Sequence, residues 1–140
     1  MPARTASIEL LASPHDVWAY VSEPYNFADW WPPVATVEPD RRGFATGARW
    51  QVRLREATLF RKPDGEDVLV VHAAQPEERF GFEIVRAKVR AELVLAPTRD
   101  ERTHATLAVK EPFRISFTRG QLAKDALARL HDLVQTGAGT

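Results

Sequence analysis

Histidine is the side chain best suited to proton transfer near neutral pH, and this sequence contains four: His15, His72, His104 and His131. They are scattered, show no HExxH-type spacing and have no cysteine to accompany them, so the sequence gives little support for a metal site. His15 falls in the first turn of a predicted helix and His104 on the polar face of a predicted strand, and we expect both to be solvated. His131 borders the apolar stripe of the last predicted helix, as a rim residue would. We therefore predict neither a metal nor an organic cofactor.

His72 differs because it interrupts an apolar run, Val68 to Val71. If it shares an inward face with Val68 and Val70, its imidazole lies inside the domain and could contact a ligand or act in acid–base chemistry. Two other interpretations are a core histidine paired with a neighbour, and a histidine that faces water. His72 is a weak catalytic candidate, with Tyr20 or Tyr25 as helpers.

Other catalytic constellations have less support. No GxSxG motif occurs, and the glycines at 43 and 47 do not fit phosphate-binding loop or Rossmann spacing. The paired carboxylates Glu66-Asp67 and Glu77-Glu78 lie in or beside predicted turns, where we expect them to be solvated. Glu111, next to Pro112, could face either way.

Composition bounds the class of protein. A chain of 140 residues suits one domain, residues 1–140. Nineteen basic and nineteen acidic side chains balance, which argues against nucleic acid as the main partner. No apolar run approaches a membrane span or a signal peptide, so we expect a cytoplasmic protein without stable membrane insertion. The predominance of Arg over Lys hints at a GC-rich, bacterial genome. A monomer and a homodimer both remain open.

The periodicity predicts the elements that must position these residues. A strand at Ser7–Leu11 precedes a helix that Ser13 caps and Pro14 opens, and a second short helix carrying Trp30 ends at Pro32-Pro33. From Gly47 onward, apolar and polar residues alternate with period two, which is typical of half-buried strands. The predicted strands lie at 34–38, 50–54, 68–74, 80–84, 89–95 and 105–109, with 58–60 as a continuation or an additional strand.

The last long stretch, Thr118–Gln135, predicts an amphipathic helix of about 27 Å. Its apolar residues recur at spacings of three and four, Thr118 and Gln121 have capping-box spacing, and Gly137 and Gly139 are expected to end it. A single sheet needs an apolar cover, and this helix is the element long enough to provide one. The sequence therefore predicts an α+β fold in which an antiparallel sheet of about six to seven strands is covered by the C-terminal helix. The apolar stripe comprises Leu122, Ala126, Leu127, Leu130, Leu133 and Val134.

Three stretches carry a resemblance to a known family: Ile8-Glu9-Leu10, Ser13 to Ser22, and Asp29-Trp30-Trp31-Pro32. Together with the element order and Thr103 at the start of the last strand, they resemble the START/birch-pollen-allergen-like (SRPBCC) superfamily, in its polyketide cyclase/dehydrase and lipid-transport branch. One departure is Arg102, where a glycine commonly precedes that threonine. The resemblance implies a helix-grip fold, with a curved sheet wrapped on the long C-terminal helix and a cavity between them that takes lipids, polyketides or other apolar molecules.

On this fold the resemblance implies a ligand cavity lined by side chains of the concave face, the mouth and the last helix. Small residues there could leave room for a ligand, or could let the helix pack closer so that no cavity exists. We expect a hydrophobic small molecule as the partner. The expected lining residues are Trp50, Val52, His72, Phe82, Ala91, Leu93, Leu107, Phe113, Ala126 and Leu130.

Three functional hypotheses follow. The first is binding, or transport, of a hydrophobic small molecule in the cavity. The second is a polyketide cyclase or aromatase that uses His72 to move protons. The third is a protein-interaction module that uses an exposed aromatic patch at Trp30-Trp31, although Trp30, like Trp18, could instead pin its helix to the sheet.

Overall fold

The computed structural model describes residues 3–55, 65–112 and 121–138. The predicted segment 58–60, Phe113 and the Thr118 cap lie outside these ranges. In chain order the elements are β1 (Arg4–Leu10), α1 (Pro14–Val21), a 3-10 turn (Pro24–Asn26), α2 (Phe27–Trp30), β2 (Val34–Glu38), β3 (Arg49–Leu54), β4 (Glu66–Gln75), β5 (Arg79–Ile84), β6 (Val89–Pro97), β7 (Thr103–Lys110) and α3 (Gln121–Ala138).

The seven strands form one sheet in the order β1-β7-β6-β5-β4-β3-β2, and every neighbouring pair is antiparallel. Buried and exposed side chains alternate along most strands, as the period-two pattern predicted. The buried set defines an inner face that belongs to the same core cluster as α3, α1 and α2. The predicted α+β, helix-grip architecture is confirmed.

A β-bulge in β4 changes which side chains reach the inner face. Val71 pairs with Phe82 and Ala73 with Gly81, so His72 is one extra residue in the ladder. Leu69 and Val71 are buried, whereas His72 is exposed. The prediction that His72 could share an inward face is therefore wrong, because it lies on the outer face of the sheet.

The two short helices are fixed by local caps. The Ser13 side chain accepts a hydrogen bond from the Asp16 amide at 3.2 Å, and Pro14 occupies the first turn of α1, as predicted. The Asn26 side chain donates to the Tyr20 carbonyl at 2.9 Å. Arg55 donates to the Pro32 carbonyl at 2.8 Å, which ties the chain after α2 to the end of β3. These bonds place the aromatic residues of α2 beneath the sheet.

The helix α3 contacts β1, β7, α1 and α2. Its predicted stripe lies on the covered side: Ala126, Leu127, Leu130 and Val134 are buried, while Leu122 and Leu133 pack at the margin. The helix continues through Gly137 to Ala138, so Gly137 does not end it as predicted, and Gly139 lies outside the described residues. A glycine costs a helix only about 1 kcal/mol relative to alanine, too little to end one by itself.

Candidate ligand-binding site

The described members of the predicted lining come from five strands and one helix, and the fold brings most of them together. Of the ten, Phe113 lies outside the described residues and His72 is on the outer face. The remaining eight are between 0% and 3% exposed and belong to one core cluster. Side chains this little exposed contact protein atoms on nearly all sides. The eight are Trp50, Val52, Phe82, Ala91, Leu93, Leu107, Ala126 and Leu130.

A set of six rings, which we call the aromatic cluster, occupies the inner face near α2. Phe27 lies at its centre, with ring centroids 5.0 Å from Phe82, 5.3 Å from Trp30 and 5.8 Å from Trp31. Most of the contacts are edge-to-face, the arrangement that aromatic quadrupoles favour. Its members are Phe27, Trp30, Trp31, Trp50, Phe80 and Phe82, and all are at most 1% exposed.

Burial removes the exposed aromatic patch that the interaction-module hypothesis needed. Trp30 and Trp31 are both 0% exposed. Trp31 packs on Phe82 at 5.0 Å and Trp30 on Phe80 at 6.4 Å. The prediction of a Trp30-Trp31 surface patch is therefore wrong, and the alternative of core packing holds for Trp30.

Three buried polar atoms have no hydrogen-bond partner among the described residues: Tyr20 Oη, Trp30 Nε1 and Trp31 Nε1. All belong to the segment between residues 20 and 31. Trp50 is equally buried, but its Nε1 donates to the Gly43 carbonyl at 2.7 Å. An unpaired buried donor costs about 1–3 kcal/mol. A ligand that accepted hydrogen bonds from these three atoms would remove that cost.

Two partly buried titratable groups have a pKa raised by their surroundings. Burial, with a smaller contribution from the Asp29 carboxylate, raises the pKa of Tyr20 to about 12. The phenol is therefore neutral at physiological pH and keeps a proton that it can donate. Burial also raises the pKa of Glu111, at the end of β7, above its usual value.

The proposed catalytic histidine is separated from this interior by the sheet. His72 Nε2 lies 3.0 Å from Glu83 Oε1, and both side chains are about a third exposed on the outer face. His72 borders a shallow outer groove of about 260 Å³, together with Arg90 and Lys110. Tyr25, the other suggested helper, is 63% exposed. Only Tyr20 of the three acid–base candidates has its polar atom inside the domain.

The remaining histidines lie at the surface. His15 Nδ1 is 3.1 Å from Glu77 Oε2, His104 is exposed, and His131 Nδ1 is 3.1 Å from Asp132 Oδ1. Within residues 3–55, 65–112 and 121–138, no three His, Asp or Glu side chains converge as metal ligands would.

Sequence reasoning missed two interior residues. Phe27 precedes Trp30 and Trp31 by three and four positions, and this helical spacing was a readable signal. Asp67 was expected to be solvated, but it is 3% exposed. Its carboxylate accepts hydrogen bonds from the amides of Val68, Arg86 and Ala87 at 2.7, 2.7 and 2.8 Å. Two of those donors, the amides of Arg86 and Ala87, lie in the turn after β5. That turn is distant from Asp67 in the sequence, so the residues around Asp67 do not predict the contact.

A protein-family model described as "Polyketide cyclase / dehydrase and lipid transport" matches residues 1–137 of this chain. The chain belongs to this family. The polyketide cyclase/dehydrase and lipid-transport family was the branch that its opening motifs resembled, and the family description is broadly compatible with ligand binding. No curated protein shows a significant sequence match.

Solved structures with the same fold are similar over nearly their full length. A protein from Nitrosospira multiformis has a TM-score of 0.71 at 16% identity, covering 99% of this family member and 100% of the other chain. A protein from Nitrosomonas europaea has a TM-score of 0.70 at 15% identity, covering 99% and 97%. Protein XoxI from Bacillus cereus has a TM-score of 0.70 at 15% identity, covering 96% of each chain. At these identities the likeness concerns the fold alone. Among the described helices, none has the length and apolarity needed to cross a bilayer.

Proposed function

We propose that this protein binds a hydrophobic small molecule, for storage or transport, in the interior between the inner face of the sheet and α3. The family supports binding in general terms. The observation that carries the proposal is the buried aromatic cluster next to polar atoms that have no protein partner among the described residues. Sites for apolar ligands combine such walls with a few polar groups that orient the ligand.

Binding in this interior requires it to open. The eight described lining residues are at most 3% exposed, so a ligand has to displace aromatic side chains or shift α3. Affinity is then reduced by the fraction of molecules in the open state. Because the interior must open before a ligand enters, we expect the association rate to lie below the diffusion limit. We also expect binding to change the conformation of α3 and α2.

A fluorescent apolar probe, 1-aminoanthracene, tests the proposal. Its emission should rise on binding, and backbone amide resonances should shift along the inner-face residues of β5, β6 and α3. Shifts confined to the outer groove around His72, or no binding at all, would overturn the proposal. Native mass spectrometry of gently purified protein should show an additional bound mass.

Two alanines of α3 provide a matched pair of variants. Ala126 is 0% exposed, whereas Ala128 on the same helix is exposed. Ala126→Ile adds bulk to the interior and should weaken probe binding at least about fivefold while destabilising the fold by about 1–3 kcal/mol. Ala128→Ile should leave both quantities unchanged. Equal effects of the two substitutions on probe affinity would count against an interior site.

The cyclase alternative has lost its principal residue. With His72 on the outer face, Tyr20 is the interior candidate that remains. Its pKa of about 12 lies far above neutral pH, which suits hydrogen bonding better than proton transfer. We therefore place binding ahead of catalysis.

A further inference from the structure

Trp30 and Trp31 differ from the third buried tryptophan of the aromatic cluster in one respect. All three indoles are 0% exposed. Trp50 Nε1 donates to the Gly43 carbonyl, whereas Trp30 Nε1 and Trp31 Nε1 have no partner among the described residues. Buried donors in native proteins are nearly always paired, so each unpaired one calls for an explanation.

Both indoles pack on other rings of the aromatic cluster. Trp30 and Trp31 lie 6.1 Å apart between ring centroids, and Phe27 contacts both. Trp31 also packs on Phe82 with an angle of 87° between the ring planes. Contacts from N–H to a ring face are weak, so such packing does not replace a hydrogen bond to an oxygen.

We infer that Trp30 and Trp31 donate hydrogen bonds to a neutral acceptor oxygen, such as a ketone or ester carbonyl, on the bound ligand. This inference rests on the proposed function. Indole N–H groups can only donate, so the ligand supplies the acceptor. The six residues of the aromatic cluster are uncharged and at most 1% exposed, and burying an ionised carboxylate in such surroundings is costly. The site therefore selects a carbonyl compound over both the matching hydrocarbon and the matching carboxylate.

Three compounds that share one ring skeleton test this selection: fluorenone, fluorene and fluorene-9-carboxylate. Their dissociation constants can be obtained by displacing 1-aminoanthracene. Fluorenone should bind at least about fivefold more tightly than fluorene, because its carbonyl oxygen accepts two hydrogen bonds that fluorene cannot. Fluorene-9-carboxylate should bind more weakly than fluorenone.

Conservative tryptophan variants test whether the Trp30 and Trp31 N–H groups cause the preference for fluorenone over fluorene. Trp30→Phe and Trp31→Phe each keep an aromatic ring and remove an N–H, so each should lower the fluorenone-to-fluorene affinity ratio towards one. Trp18→Phe is the control, because Trp18 lies outside the aromatic cluster and packs on Phe44, and it should leave the ratio unchanged. A ratio that falls equally in all three variants would overturn the assignment.

The wild-type protein gives an independent measurement should a variant fail to fold. The sequence has four tryptophans, and their indole N–H resonances are separable in a ¹⁵N correlation spectrum. Fluorenone should move the Trp30 and Trp31 resonances downfield, and fluorene should not. If fluorenone and fluorene bind equally and shift these resonances alike, the inference fails while the proposed function stands. If neither compound nor 1-aminoanthracene binds, the proposed function itself fails.

Discussion

The hydroxyl of Thr103 donates a hydrogen bond of 2.8 Å to the carbonyl oxygen of Ala12. Thr103 is 0% exposed and Ala12 is 4% exposed. The bond joins the first residue of β7 to the turn between β1 and α1, two points that are far apart in sequence. It fixes the start of α1 against the sheet and gives a structural role to the threonine that the family resemblance singled out.

Replacement of Thr103 by valine should therefore destabilise the fold. Thr103→Val keeps the shape but leaves the buried Ala12 carbonyl unpaired, at a cost of about 1–3 kcal/mol. Urea unfolding followed by tryptophan fluorescence measures the change. Thr106→Val is the control, because the Thr106 hydroxyl bonds Ser7 at an exposed site, and it should cost clearly less. Equal losses in the two variants would contradict this role for Thr103.

Asp67 is expected to be the most sensitive carboxylate in the described chain. Asp67→Asn removes the charge that accepts three backbone N–H bonds and places an amide group among those donors. The unfolding free energy should fall by about 1.5–3 kcal/mol, as for other charge-assisted bonds. Glu66→Gln is the matched control, because Glu66 makes an exposed pair with Arg53, worth at most about 1 kcal/mol. If the Asp67→Asn variant is as stable as the control, the β5–β6 turn does not need this anchor.

Glu111 should make stability depend on pH in the mildly acidic range. Burial raises the pKa of its carboxyl above 4.5, so the folded protein holds the proton more tightly than the unfolded chain. Stability from this group is thus fully present below the unfolded value and declines as pH rises through the folded one. Glu111→Gln should raise the unfolding free energy at about pH 7 more than at about pH 4. Urea unfolding at both pH values measures this, and a pH-independent effect would contradict it.

Tyr20 should have the corresponding effect in the alkaline range. Its pKa is raised from 10.0 to about 12, so the folded state retains the phenolic proton and stability declines as pH rises between these values. Tyr20→Phe should remove that decline. It should also remove the tyrosinate absorbance step near pH 12 from the spectrophotometric titration. At neutral pH the variant should be about as stable as wild type, because the lost hydroxyl had no partner among the described residues. A tyrosinate step near pH 12 that persists in the variant would place the shifted phenol elsewhere.

Sequence periodicity was a reliable guide to the strands because one face of the sheet is buried. Phe80, Phe82, Leu93 and Leu107 all occupy the inner face that alternation predicts. The helix start at Ser13 and Pro14 was predictable because it depends only on residues that are neighbours in the sequence. Whether the interior residues bind a ligand stays a prediction.

The residues whose burial or orientation was predicted wrongly are positioned by contacts with other parts of the chain. His72 faces outward because the inner face of β4 carries Leu69 and Val71 rather than Val68 and Val70, and both sets are equally apolar in the sequence. Trp31 is buried because β5 presents Phe82 to it. Asp67 is buried because its donors at residues 86 and 87 come from another turn. Local patterns carry no information about such pairings.

The bulge in β4 also bears on how related sequences should be aligned. Since Val71 points inward and both His72 and Ala73 point outward, removal of His72 would restore strict alternation and keep Ala74 on its present side. A homologue one residue shorter at this point could preserve every inward contact and lose only the local bend. The gap in such an alignment belongs at His72, and the strand on either side should be matched without a change of phase.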